Sequence, residues 1–246
     1  MSTVCLSTPH VPNRRGDASR LSAAAPLRVA GLCALALALT WVVAALVPAT
    51  HVKDAVALYD FTLLDRPRVD DLANALLALL DPVLYTLWGV VLVAVALWRR
   101  RPRVAFAVGL VLGLAPLTAE TLKPLLAHTH ARIGVSEITA ASWPSGHATA
   151  ATALALCAVL VAPQRLRPTV AVLGAMFAVG VGFSLLILAW HLPSDVVGGY
   201  LVASAWIALT VAGLRAVDRR WPSACSRRRL GGSRMRVRAM RAGVPQ

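Results

Sequence analysis

Two short polar clusters break the apolar second half of this chain, and their residue types are those of proton transfer and nucleophilic attack. The first, Ser142-Trp143-Pro144-Ser145-Gly146-His147, runs straight into the apolar stretch from Ala148 to Ala162. Its Pro-Ser-Gly turn opens a helix whose first N–H groups lack partners and suit an anion. His147, in the first turn, can give or take a proton near neutral pH. The second cluster is His191-Leu192-Pro193-Ser194-Asp195. Asp195 can hold one ring nitrogen of His191 and leave the other to attack, while His147 protonates the leaving oxygen. Two helix starts, at Ser145 and Ser194, together with Lys123 and Arg132 make an oxyanion site. Anion-binding groups, an oriented histidine and an acid histidine describe phosphoryl transfer through a phosphohistidine. No metal or other cofactor is expected. His128 and His130 form an HxH pair, but a third ligand would have to be borrowed from the catalytic set.

The elements that must position these residues are read from hydropathy. The chain has 246 residues, 58% hydrophobic and only 15% charged, and its charges fall in blocks. A net charge of +14 would suit nucleic acid only on a soluble fold with a basic face. Here the basic residues separate runs long enough to cross a bilayer, so no nucleic-acid partner is expected. Apolar runs cover residues 29–47, 82–98, 104–122, 148–162, 169–190 and 196–214. Residues 69–80 carry leucines at helical spacing behind an acidic start, the pattern of a short helix lying at the interface. The fold class is therefore all-α: an integral membrane bundle of six transmembrane helices, with a short interfacial helix between the first two. A basic tail over 1–28 and an arginine-rich, disordered tail over 215–246 flank the membrane domain at 29–214, whose motifs lie in 104–214. Cys5, Cys33, Cys157 and Cys225 are scattered, and no structural disulfide is expected.

Orientation follows from counting charges. With both termini in the cytoplasm, twenty of the 25 Lys and Arg lie inside and nine of the 11 acids outside. Lys123, His128, His130, Arg132, Ser145, His147, His191 and Asp195 then all fall on the extracytoplasmic side. The two polar clusters can meet there, at the outer ends of spans three to six.

These residues resemble the type 2 phosphatidic acid phosphatase superfamily, which includes lipid phosphate phosphatases and polyprenyl diphosphate phosphatases. Its signature has three parts, KxxxxxxRP, PSGH and SRxxxxxHxxxD. The second is intact at Pro144–His147, and in the third Ser184, His191 and Asp195 fall in register. The match covers roughly residues 104–215. It implies catalysis by His191, His147 and Asp195, and phosphate binding by Lys123, Ser145, Gly146 and Ser184. The chain departs from the pattern at two places. His130-Ala131 stands where the first part has Arg-Pro, with Arg132 two residues late, and Leu185 stands where the third part has arginine. Arg132 or His130 is expected to substitute for the first arginine, and nothing nearby in sequence replaces the second.

Two readings follow. In the first, the chain is a multi-pass cell-membrane lipid phosphatase acting at the outer face on a lipid phosphate or polyprenyl diphosphate. In the second, it is a weakened relative that binds phospholipid headgroups or a membrane partner without turnover. A transporter ranks below both, because no span is visibly broken at its middle. Oligomeric state is not legible in the sequence.

Overall fold

In a computed structural model, residues 23–129 and 138–221 are described, and they fold entirely into helices and connections. Among the described residues there are eight helices: α1 (Ala24–Leu46), α2 (Pro48–Thr62), α3 (Pro67–Ala78), α4 (Pro82–Trp98), α5 (Pro102–Leu125), α6 (Gly146–Val161), α7 (Arg167–Ile187) and α8 (Pro193–Arg220). Prolines punctuate them. Pro48, Pro67, Pro82, Pro102, Pro168 and Pro193 stand in first turns, where a missing N–H costs no hydrogen bond.

Four helices, α1, α5, α7 and α8, are long and apolar enough to span a bilayer by themselves. The pair α3 and α4 passes the same test together, bent by 54° at the break between them. The expected count of six spans also needs α6, whose 16 residues rise about 24 Å against roughly 30 Å of hydrocarbon. That helix is the most enclosed element: Ala148, Thr149, Ala150, Ala151, Ala153, Cys157 and Val161 are buried along it. It packs against α4, α5, α7 and α8. α1 lies on the outside of the bundle against α8, and Leu32, Leu35 and Leu46 on it are exposed, as suits contact with lipid.

The connection between the first two apolar helices holds two short helices rather than the single one expected. α3 is the expected amphipathic element, packed on α7. α2 was hidden by its charges: it buries Ala55 and Leu58 on one face and touches α1, α7 and α8. At the other end of the chain, α8 runs past the expected limit at Leu214 to Arg220.

The bundle has two chemically distinct ends. Arg103 opens α5 and pairs with Asp218 near the end of α8 at 2.6 Å, and Arg101 donates to the Leu160 carbonyl at the end of α6. Lys123 closes α5, while Ser145 and Pro193 open α6 and α8. The two polar clusters therefore share the end opposite the arginines.

Candidate active site

His191 and Asp195 are placed by the break between α7 and α8. α7 closes at Ala189, which adopts a left-handed φ of 54°, with Trp190 N–H returning to the Leu185 carbonyl at 2.9 Å. The chain then extends through Leu192, and Pro193 starts α8. Asp195, at the third position of α8, folds its carboxylate back over this start. Its Oδ2 accepts from Leu192 N–H at 3.1 Å and lies 3.2 Å from His191 Nδ1. Asp195 is fully buried and the His191 side chain nearly so. A carboxylate on Nδ1 fixes the tautomer that leaves the Nε2 lone pair available.

The PSGH turn is bound directly to this structure. Ser145 N–H donates to the Asp195 backbone carbonyl at 2.9 Å. One turn on, the Thr149 hydroxyl donates to Ser145 O at 2.8 Å and also reaches Gly199 O at 3.2 Å. Two glycines of α8 permit the approach. A Cβ at Gly199 would stand 2.6 Å from Ser145 O, and one at Gly198 would stand 2.8 Å from the Trp143 indole nitrogen. The starts of α6 and α8 are thereby locked side by side, with both sets of first-turn N–H groups at one place.

His147 follows in the first turn of α6. Its ring meets Trp190 edge to face at 5.9 Å, and it lies within electrostatic reach of His191, Lys123, Glu120 and Asp81. Ser145 caps the helix, its Oγ accepting from Ala148 N–H at 3.4 Å. Lys123 Nζ binds Glu120 Oε1 at 2.7 Å, and this pair lies over Gly146, whose added Cβ would stand 2.5 Å from Glu120 Oε1 and 3.6 Å from Lys123 Nζ. Six residues expected from sequence, Lys123, Ser145, Gly146, His147, His191 and Asp195, thus lie together.

Ser184 is buried, and its hydroxyl donates to Gly180 O within its own helix at 2.9 Å. Leu185, at the family's arginine position, is fully buried in an apolar cluster with Leu58, Leu77, Leu80, Ala148 and Val181. His130 and Arg132 lie outside the described residues.

Comparison with known families points to the same segment of the chain. The PAP2 superfamily model matches residues 103–219, the segment from the start of α5 to near the end of α8. That segment is similar to the PAP2 superfamily. The fold matches the crystal structure of a transmembrane PAP2-type phosphatidylglycerolphosphate phosphatase from Bacillus subtilis, with a TM-score of 0.63 and 18% identity. That match covers 80% of this chain and 98% of the other, so the likeness reaches beyond the PAP2 segment into the N-terminal helices. No curated protein matches the chain.

Three features around the PAP2 site had no expectation attached. Glu120 stands three residues before Lys123 on α5, and that spacing is the signal for the pairing. Gly198-Gly199, just after Asp195, is visible in sequence as an unusual helical pair. Asp54 on α2 gives no such signal: its Oδ2 accepts from the Ser194 hydroxyl at 2.6 Å and its Oδ1 from Ser194 N–H at 3.3 Å. Burial, with Asp195 nearby, raises its pKa above the ordinary value, and the bonds from Ser194 and the neighbouring His51 oppose that shift. Among the described residues, no three His, Cys, Asp or Glu side chains group as metal ligands.

Proposed function

We propose that the protein is a membrane phosphatase that removes phosphate from a lipid phosphate or lipid diphosphate. The observation that carries this reading is the bond from Ser145 N–H to the Asp195 carbonyl, which brings His147 beside a histidine already oriented by Asp195. In the proposed reaction His191 Nε2 attacks phosphorus and the phosphorus–oxygen bond to the lipid breaks. His147 supplies the proton taken by the leaving oxygen. Water then attacks the phosphohistidine, gives its proton to His147, and releases inorganic phosphate with both histidines restored. Lys123 and the first N–H groups of α6 offset the charge that builds on the phosphoryl oxygens.

The substrate class is supported by the site's place at one end of an apolar bundle, where a headgroup arrives by lateral diffusion. It is supported also by the fold shared with a phosphatidylglycerolphosphate phosphatase. The outward orientation rests on the charge count, with the arginine-rich end in the cytoplasm and both termini inside. The test is phosphate release by purified protein in detergent, with chelator, from phosphatidic acid, phosphatidylglycerolphosphate and a polyprenyl diphosphate. Turnover of at least one, abolished in His191→Ala, is expected. Full activity of that variant overturns the mechanism.

One observation favours the alternative of headgroup binding without turnover. Leu185 fills the arginine position with a buried apolar side chain, so a cation that would bind a phosphoryl oxygen is absent there. Lipid binding by the wild type with no phosphate release from any of the three lipids decides for that reading.

A further inference from the structure

The geometry points to Asp54 as a positioning residue for the Asp195–His191 pair. It lies outside the PAP2 segment, on a helix whose sequence looks like a charged surface connection, yet both its carboxylate oxygens bind one residue of the catalytic helix start. Ser194 is the second residue of α8 and the immediate neighbour of Asp195. Bonds to its N–H and its hydroxyl from a single carboxylate hold this residue in both translation and rotation, where one bond would leave it free to turn.

That constraint matters because the Asp195–His191 contact has little slack. At 3.2 Å it is already at the long limit of a nitrogen–oxygen hydrogen bond, so a shift of a few tenths of an ångström in the first turn of α8 breaks it. Other ties on this turn include Ser145 N–H to Asp195 O and the Asp195 bond to Leu192 N–H. Both lie on the side of α6 and of the α7–α8 connection. Asp54 alone braces the turn from α2. The clamp acts through Asp195 on the reacting histidine, so Asp54 is not itself placed against phosphate.

This inference rests on the assignment of His191 as the reacting nitrogen. Asp54→Ala is expected to lower kcat roughly 10- to 100-fold, the usual effect of removing a group that orients a functional histidine, with KM changed less than about threefold. Asp54→Asn keeps an acceptor for the Ser194 hydroxyl and recovers most of the rate. Ser194→Ala removes one of the two bonds and lowers kcat by less. The other charged and titratable groups around this end are His51 and Lys53 on α2, Asp81 before α4, Glu120 and Lys123 on α5, and His147 on α6. They are unchanged in all three variants.

A second readout does not need turnover. The rate of diethylpyrocarbonate modification of His191 at a single pH, followed by mass spectrometry, reports how its ring is held in the full-length protein. A changed rate in Asp54→Ala and its reversal in Asp54→Asn support the clamp even if no lipid is hydrolysed, in which case the phosphatase reading fails and this one stands. Wild-type kcat and an unchanged His191 modification rate in Asp54→Ala overturn it. So does an equal loss in the alanine and asparagine variants that tracks a lower melting temperature, which marks a purely structural contact.

Discussion

Ser145 and Asp195 meet backbone to backbone: the Ser145 N–H donates to the Asp195 carbonyl at 2.9 Å, joining the first turn of α8 to the turn that opens α6. The two halves of the site are thus tied through main chain, and their relative position does not depend on any exposed side chain. What the tie does require is that α6 and α8 approach closely enough, which makes the small residues beneath it as consequential as the histidines above it.

Gly199→Ala tests that requirement. The new Cβ would stand 2.6 Å from Ser145 O and 2.8 Å from the Ala148 Cβ, and both neighbours are rigid. Separation of the helix starts is expected to cost about 1–3 kcal/mol, the usual range for overpacking. A lower melting temperature in detergent and a loss of phosphate release larger than the stability change would bear this out. An alanine variant as active and stable as wild type would show that the contact is not needed.

Glu120 and Lys123 should behave oppositely. Lys123→Ala removes a cation from the proposed phosphate site, and a charge-assisted contact of about 1.5–3 kcal/mol predicts a KM rise of roughly 10- to 150-fold. Glu120→Gln removes the carboxylate that holds Lys123 and lies over Gly146. Because Glu120 is exposed, its pair contributes at most about 1 kcal/mol to folding, so stability barely changes. KM is expected to fall several-fold, since a negative charge no longer faces the incoming phosphate. Inhibition by inorganic phosphate checks this directly: it strengthens in Glu120→Gln and weakens in Lys123→Ala. An increase of KM in both variants would mean that Glu120 serves chiefly to place Lys123.

Restoring the family arginine should not restore function. Leu185→Arg puts a guanidinium into an enclosed apolar cluster with Leu58, Leu77 and Leu80. Burial of an unpaired charge predicts destabilisation of about 3 kcal/mol or more. Thermal melting of the solubilised variant measures it. A rise in phosphate release at unchanged melting temperature would refute the prediction and show that the side chain can reach the site.

Asp54 gives the fold a specific pH dependence. Its pKa in the folded protein is raised, chiefly by burial, from the ordinary 3.8. The folded state therefore binds the proton more tightly than the unfolded chain does. Its favourable contribution is complete below about pH 3.8 and is lost as pH rises through the raised value. Melting temperatures of wild type and Asp54→Asn, compared from pH 4 upward, should show the wild type losing ground to the variant with rising pH. Parallel curves would remove Asp54 as the source.

Most of the architecture was legible because membrane helices announce themselves. Apolar runs of bilayer length and blocks of arginine depend only on composition along the chain, and the resulting helices sit within a few residues of their expected places. α2 escaped notice because Lys53, Asp54 and Asp60 break the apolar pattern, while the residues that bury it, Ala55 and Leu58, are too few to show a periodicity. Among site residues, His191 and Asp195 were readable together because they are four apart across a single turn, and Glu120 with Lys123 is a similarly local pair that composition alone did not single out.

By itself, then, the sequence determined that this is a helical membrane protein, that PSGH opens one helix, and that His191 and Asp195 bracket the start of another. Those features rest on hydropathy and on separations of a few residues, where local geometry leaves one outcome. Only the tertiary structure decided that Ser145 binds Asp195, that Asp54 reaches Ser194 across 140 positions, and that Leu185 faces an apolar cluster. Such contacts depend on how closely whole helices pack, which is set by the glycines and alanines between them. A charged or apolar residue looks the same in sequence whether it meets lipid, water or a partner far along the chain.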